Sequence, residues 1–146
     1  MDAAIREAEK ASEEDEVPVG AVIVHEGRLI GRGHNRTEAT RDPTAHAEIL
    51  AIGAAAEALG SRRLEGATLY VTLEPCFMCA GAIVLARIEN LVFGALDPKA
   101  GACVSLASVP TDPRLNHRVH VLHGVREAEC AALLERFFRK MRKKEE

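Results

Sequence analysis

Apolar and polar positions alternate along the chain with two periods. Residues 2–12 carry the 3.6-residue spacing of a short amphipathic helix. Val17-Pro18-Val19-Gly20-Ala21-Val22-Ile23-Val24 is a strand-like apolar run. His25-Glu26-Gly27-Arg28 then supplies a turn into Leu29-Ile30-Gly31-Arg32-Gly33, which predicts a β-hairpin. Residues 45–59 are alanine-rich and helical, with Gly60 placed to stop them. Ala67 to Leu73 is a strand rich in β-branched residues, running directly into Glu74-Pro75-Cys76 and a second helix that ends near Ala86. Leu91 to Ala95 predicts another strand, Val119 to Leu122 an edge strand, and Glu127 to about Lys143 a final helix. The stretch from Asp97 to Asn116 is rich in Pro, Gly and Ser and is expected to be a long functional loop. Strands alternating with helices predict an α/β layer fold with helices on both faces of the sheet.

Composition narrows the picture. A chain of 146 residues with 47% apolar content is expected to form one domain, 1–146, burying about two-thirds of its unfolded surface. No run of about twenty apolar residues is present to span a membrane. The first residues mix charges at once, unlike a secretory signal. Four cysteines suit a reducing compartment better than a disulfide framework, so the expected location is cytoplasmic. The net charge of −3 argues mildly against nonspecific nucleic-acid binding, but the distribution is uneven. Acidic residues crowd 13–16, while Arg136, Arg139, Lys140, Arg142, Lys143 and Lys144 crowd the C-terminal helix. That basic run reads either as a solvated helix end favoured by the dipole or as a phosphate contact.

Chemistry concentrates in His46-Ala47-Glu48 and Pro75-Cys76-Phe77-Met78-Cys79. His46, Cys76 and Cys79 make three metal ligands, and a hydrolytic zinc site wants three with an open position for water. Glu48 is close enough to carry a proton for that water without being a ligand. Cys76 and Cys79 are three apart and share a helix face, Pro75 suits the first turn, and Thr44 is the expected N-cap of the earlier helix. Both halves of the site are therefore expected at the starts of neighbouring helices on one face. The C-x-x-C pair alone would equally suit redox chemistry or half of a structural zinc site. Cys130 reads as a buried, inert thiol; Cys103, in a loop, could supply a fourth ligand but has no spacing to support it. His25, His120 and His123 read as surface or half-buried residues without a functional role, and His34 and His117 as pocket-lining or turn-bonded.

The H-x-E…P-C-x-x-C pattern belongs to the zinc nucleobase deaminases. With it stand Glu16-Val17-Pro18-Val19-Gly20-Ala21-Val22, His34-Asn35-Arg36, Val92-Phe93-Gly94-Ala95, Asn116-His117-Arg118-Val119, Glu129 to Leu134 and Phe137-Phe138-Arg139. On these residues the chain resembles the cytidine-deaminase-like superfamily and, within it, the bacterial tRNA-specific adenosine deaminases. The resemblance implies a three-layer α/β/α fold with a mixed five-stranded sheet, a homodimer, one zinc ion (Zn2+) per subunit, and deamination of the wobble adenosine to inosine in a tRNA anticodon loop, usually of an arginine tRNA. It implies that Asn35 contacts the flipped nucleoside, and that Asp97 and Lys99 with the end of the last helix (Phe138, Arg139, Arg142) contact the anticodon. Backbone N–H groups near Ala47 and Cys76, at helix starts, are placed to donate to the purine edge. Asn116 and His117, adjacent in the chain, are read as further candidate substrate contacts, the alternative being a side chain bonded to backbone in a turn. One Tyr, four Phe and no Trp leave few stacking platforms. Two other functions remain open: deamination of a free base or nucleoside such as guanine or cytidine, and a zinc-stabilised binding module without activity.

Overall fold

The computed structural model describes residues 1–145. In chain order they form α1 (Asp2–Glu13), β1 (Gly20–His25), β2 (Arg28–His34), α2 (Thr37–Thr40), α3 (Ala47–Leu59), β3 (Thr68–Leu73), α4 (Phe77–Leu85), β4 (Asn90–Ala95), β5 (His120–Leu122) and α5 (Glu127–Glu145). The strands make one sheet in the order β2-β1-β3-β4-β5. β1 pairs antiparallel with β2 and β3, whereas β3, β4 and β5 run parallel. The sheet is therefore mixed and five-stranded, and α4 is the crossover that a parallel β3–β4 pair requires. Among the described residues no helix is long and apolar enough to cross a membrane.

Three layers follow from the pleat. On β2, His34 points towards Glu7 of α1, while a Cβ on Gly33 would point into α3. α1 and α5 thus cover one face, with Ile5, Ala8, Ala95, Cys130 and Leu133 packed together. α3 and α4 cover the other, over a larger core that includes Ile23, Leu69, Val71, Ile83, Leu91 and Phe93. The seating of α3 depends on small residues from both partners. Added Cβ atoms on Gly31 and Gly33 would fall 2.5 Å from the Ala51 carbonyl and 2.6 Å from the Ala47 carbonyl. An alanine-rich helix laid on a glycine-bearing strand approaches closely, which fixes the height of the first turn of α3 above the sheet.

Several boundaries differ from the sequence expectations. β1 starts at Gly20, not Val17, because Pro18 has no N–H and the Val19 N–H bonds locally to the Val17 carbonyl. α3 starts one residue after His46, which is its N-cap; Thr44 instead bonds to Asp42 in a turn. Likewise Cys76 is the N-cap of α4, and Pro75 lies outside the first turn. The four-residue α2 and a single 3-10 turn at Val109–Thr111 carry no periodic signal.

Candidate active site

The C-terminal ends of the parallel strands β3 and β4 meet the starts of α3 and α4, where ligands lie in open α/β sheets. As N-caps, His46 and Cys76 have extended backbone, and neither side chain caps its own helix. Both side chains are thereby free to turn towards each other, and Cys79 joins them from the first turn of α4. His46 Nδ1 lies 3.6 Å from Cys76 Sγ and 3.5 Å from Cys79 Sγ. The three ligand atoms all fall within 4.8 Å of one another, a group able to hold a metal ion. Hydrogen bonds from Cys79 and His46 hold the Cys76 thiol down to about 3 against the opposing effect of burial. The bond to Cys76, with burial, pushes the Cys79 thiol up, and the bond to Cys76 raises the His46 imidazole. Cys76 thus carries thiolate charge, the form that ligates a metal.

Glu48 sits in the first turn of α3 and is only 4% exposed. Burial raises its carboxyl to about 7, opposed by its own backbone N–H and the His46 ring. A carboxyl group in that range is suited to taking and returning protons near neutral pH.

These groups form the floor of a cleft of about 240 Å³ whose lining includes Asn35, Thr37, His46, Glu48, Cys76 and Asp97. That is below the ~300–1,000 Å³ of typical small-molecule pockets and suits a single ring system. Asn35 Oδ1 accepts the Ala47 N–H at 2.9 Å. The Ala47 N–H, expected to face the substrate, is therefore taken by Asn35, whose side chain also carries an NH2 donor and which lines the cleft. Beyond Asp97 the cleft opens into an apolar groove of about 490 Å³ that adds Leu96, Pro98, Lys99, Leu134 and Phe138. Asp97, Lys99 and Phe138 therefore come together at the cleft mouth. Arg139 lies further out, in a basic depression with Arg136, Lys140, Lys143 and Lys144. Arg142 is on the same terminal turns but lines neither the cleft nor the groove.

Asn116 and His117 do not join the site. His117 Nε2 is 2.7 Å from the Ile88 carbonyl, just before β4 begins, so it lies at the opposite end of the parallel strands from the cleft. Asn116 is exposed beside it. His34 also faces away, held between Glu7 and Glu14 under α1. Cys103 is buried with its Sγ towards the Pro75 carbonyl, and burial pushes its thiol up to about 12.

Two buried carboxylates that sequence reasoning passes over shape the walls. Glu16 accepts the N–H groups of Glu38 and Ala39 at 3.1 and 2.7 Å, and so caps α2 beside Asn35 and Thr37. Glu74 accepts from Asp97, Cys103, Val104 and Ser105. Burial opposes its ionisation, but the Ser105 hydroxyl and these N–H groups outweigh that and bring it to about 2. The only sequence signal for Glu74 is an acid ending an apolar strand, immediately before a ligand segment.

Known proteins place this geometry. A family profile described as MafB19-like deaminase matches residues 1–142. A Bacillus subtilis (strain 168) protein named tRNA-specific adenosine deaminase is 55% identical over 144 residues, covering 99% of this chain and 89% of its own length. One of the same name from Aquifex aeolicus (strain VF5) is 52% identical over 95% of this chain and 91% of its own length. A solved structure from studies of A-to-I editing by tRNA:A34 deaminases at the wobble position of transfer RNA superposes with a TM-score of 0.88 at 53% identity, covering 92% of this chain and 97% of that one. The guanine deaminase of Bacillus subtilis is more distant, at a TM-score of 0.61 and 40% identity over 64% of this chain and 60% of its own. The chain belongs to the MafB19-like deaminase family and, with identity above half over nearly its whole length, to the tRNA-specific adenosine deaminases within it.

Proposed function

We propose that the protein hydrolytically deaminates adenosine to inosine at the wobble position of a tRNA anticodon, an arginine tRNA being the expected substrate, with one zinc ion held by His46, Cys76 and Cys79. The observation that carries this reading is the buried Glu48 beside three metal donors, at the floor of a cleft that admits one base and continues through an apolar groove to Leu134 and Phe138 of α5.

The donor set fits zinc. Zn–N bonds of about 2.0–2.1 Å and Zn–S bonds of about 2.3 Å at a tetrahedral angle place nitrogen and sulfur about 3.6 Å apart. The His46 Nδ1 to sulfur separations of 3.6 and 3.5 Å match this. Three protein ligands leave a fourth position open, as hydrolytic sites require. A zinc ion bound there supplies Lewis acidity that makes water ionisable near neutral pH.

The chain's own residues do the rest. Hydrolysis replaces the C6 amine of the base by oxygen and releases ammonia. Glu48 takes a proton from the attacking water, delivers one to N1 of the purine and assists the departing amine. Asn35, with its oxygen fixed by the Ala47 N–H, presents its NH2 to the base and sets its orientation. Because the reacting groups lie at the floor of a cleft that admits one base, the target nucleotide must leave its stack, which costs less in a loop than in a duplex. Asp97, Lys99 and Phe138 at the mouth then meet the flanking nucleotides, and the basic end of α5, with Arg139 and Arg142, meets their phosphates.

The same reading includes a homodimer in the cytoplasm. An apolar surface on and beside α4, with Phe77 54%, Leu85 76% and Leu106 54% exposed, supports association with a second copy. The deciding assay measures ammonia and inosine from an arginine-tRNA anticodon stem-loop, against free adenosine, cytidine and guanine. Inosine at the wobble position alone supports the proposal. Turnover of free guanine or cytidine without RNA turnover would reassign the enzyme to small-molecule deamination.

A further inference from the structure

The segment after β4 is read from its composition as a loop, yet residues 97–105 are tied down at almost every N–H. Glu74, 2% exposed, stands at the centre of the tie. Its Oε1 accepts the Asp97 N–H at 2.9 Å and the Ser105 hydroxyl at 2.5 Å. Its Oε2 accepts the N–H groups of Cys103, Val104 and Ser105 at 3.1, 2.8 and 2.9 Å. The loop is also bridged to the ligand segment itself, through a Cys76–Gly101 pairing and the Ala102 N–H to the Pro75 carbonyl at 2.9 Å. A Cβ on Gly101 would collide with the Glu74 carboxylate, so the loop passes this point only as glycine. Asp97, fixed at its N–H by Glu74, turns its Oδ1 back to accept from Lys99 and Ala100 at 3.1 and 3.2 Å. Asp97 also lines the cleft, together with His46, Glu48 and Cys76.

We propose that Glu74 is a positioning residue that locks the Asp97–Ser105 loop to the Cys76 ligand segment, so that the group gripping the substrate and the group holding the metal keep one fixed separation. The proposal rests on the deaminase reading of the cleft. A carboxylate is needed because every neighbour is a donor: five donors converge on its two oxygens, all of which an acceptor-only group can satisfy. A glutamine would turn an NH2 towards at least one N–H. Placed at Oε1, that NH2 opposes the Asp97 N–H, while the Ser105 hydroxyl can rotate to accept. The change is therefore transmitted to the substrate side of the loop rather than to the metal. Misplacing a substrate-positioning group by about 1 Å can cost on the order of a hundredfold.

The test is a double-mutant cycle with Glu74→Gln, Asp97→Ala and the two together, using zinc-loaded protein and an anticodon stem-loop. KM and kcat come from inosine formation, stem-loop affinity from fluorescence anisotropy, and zinc content from metal analysis. Glu74→Gln should keep stoichiometric zinc, raise KM and Kd by about tenfold to a hundredfold, and change kcat much less. The double variant should be no worse than Asp97→Ala, because Glu74 acts through that residue. Loss of zinc in Glu74→Gln, or losses that multiply in the double variant, would overturn the proposal. If Glu74→Gln does not fold, Ser105→Ala loosens the same tie while leaving the carboxylate. It should show a smaller effect of the same pattern, again absent in an Asp97→Ala background; an effect that persists there overturns the proposal. Wild-type turnover of the stem-loop tests the deaminase reading separately, and the anisotropy cycle reads the coupling whatever the turnover.

Discussion

The floor of the cleft and the basic end of α5 are built on opposite plans. At the floor every functional group is buried or half-buried, fixed by a helix start, and bonded to a neighbour. Asn35 bonds the Ala47 N–H, Cys76 takes bonds from His46 and Cys79, and no buried side-chain polar atom among the described residues lacks a partner. At the end of α5 the charges are exposed, and the ion pairs are of the weakly stabilising kind: Lys140 and Lys144 reach Asp15 at 3.3 and 3.2 Å with side chains about half exposed. The floor therefore acts through geometry, where one displaced atom matters. The helix end acts through summed charge, where single residues are replaceable and salt competes. Changes at the floor should lower kcat or empty the metal site, whereas changes at the helix end should move KM.

The largest effects are expected at the floor, and two substitutions there should fail differently. Cys79→Ser removes a buried ligand, so zinc content should fall well below stoichiometric and the melting temperature should drop, since metal binding and the packing of α3 against α4 are coupled. Glu48→Ala should keep zinc and the melting temperature while kcat falls at least about a hundred- to ten-thousand-fold. Metal analysis with calorimetry separates them; a zinc-free Glu48→Ala protein would make Glu48 a ligand and break the division of roles. An intermediate effect is expected from Asn35→Ala. It strands the Ala47 N–H at the start of α3, costing about 1 kcal/mol of stability by urea titration, and removes the amide that orients the base. Retention of both stability and kcat/KM would mean that the Asn35–Ala47 bond does not hold the floor together. The smallest effect on chemistry is expected from deleting residues after Phe138. KM should rise and its salt dependence should flatten, by about 0.7–0.9 in logarithmic slope for each phosphate that the shortened helix no longer neutralises, with kcat nearly unchanged. Equal salt slopes for both lengths would reduce the basic run to a solvated helix end.

The two regions also differ in how far they can be read in the sequence. His46, Glu48, Cys76 and Cys79 are legible because metal chemistry demands donors at fixed spacing beside helix starts, and the structure clusters the three donors, with His46, Cys76 and Glu48 lining one cleft. The β1–β2 hairpin and the α/β layering follow from a short turn and from strands alternating with helices, whereas the antiparallel β1–β3 pairing that orders the sheet has no local signal. What is not legible depends on partners distant in the chain. α2 is only four residues long and is held by Glu16, more than twenty positions earlier. The order in residues 97–105 comes from Glu74, and local composition signals only a loop. Asn116 and His117 read as candidate pocket residues from their types, but β5 pairs with the start of β4 at Asn90, which carries the segment before it to the far end of the sheet. Helix boundaries shift by a residue or two because His46 and Cys76 are N-caps with extended backbone and so lie just outside the helices they precede.

The division between a geometric floor and an electrostatic rim is tested most directly by measuring kcat and KM of the unmodified, zinc-loaded enzyme on one anticodon stem-loop across a range of salt concentrations. KM should climb steeply as salt rises while kcat stays flat, because the floor is buried and its charges are screened little. A kcat that falls in step with salt, or a KM indifferent to it, would contradict that division.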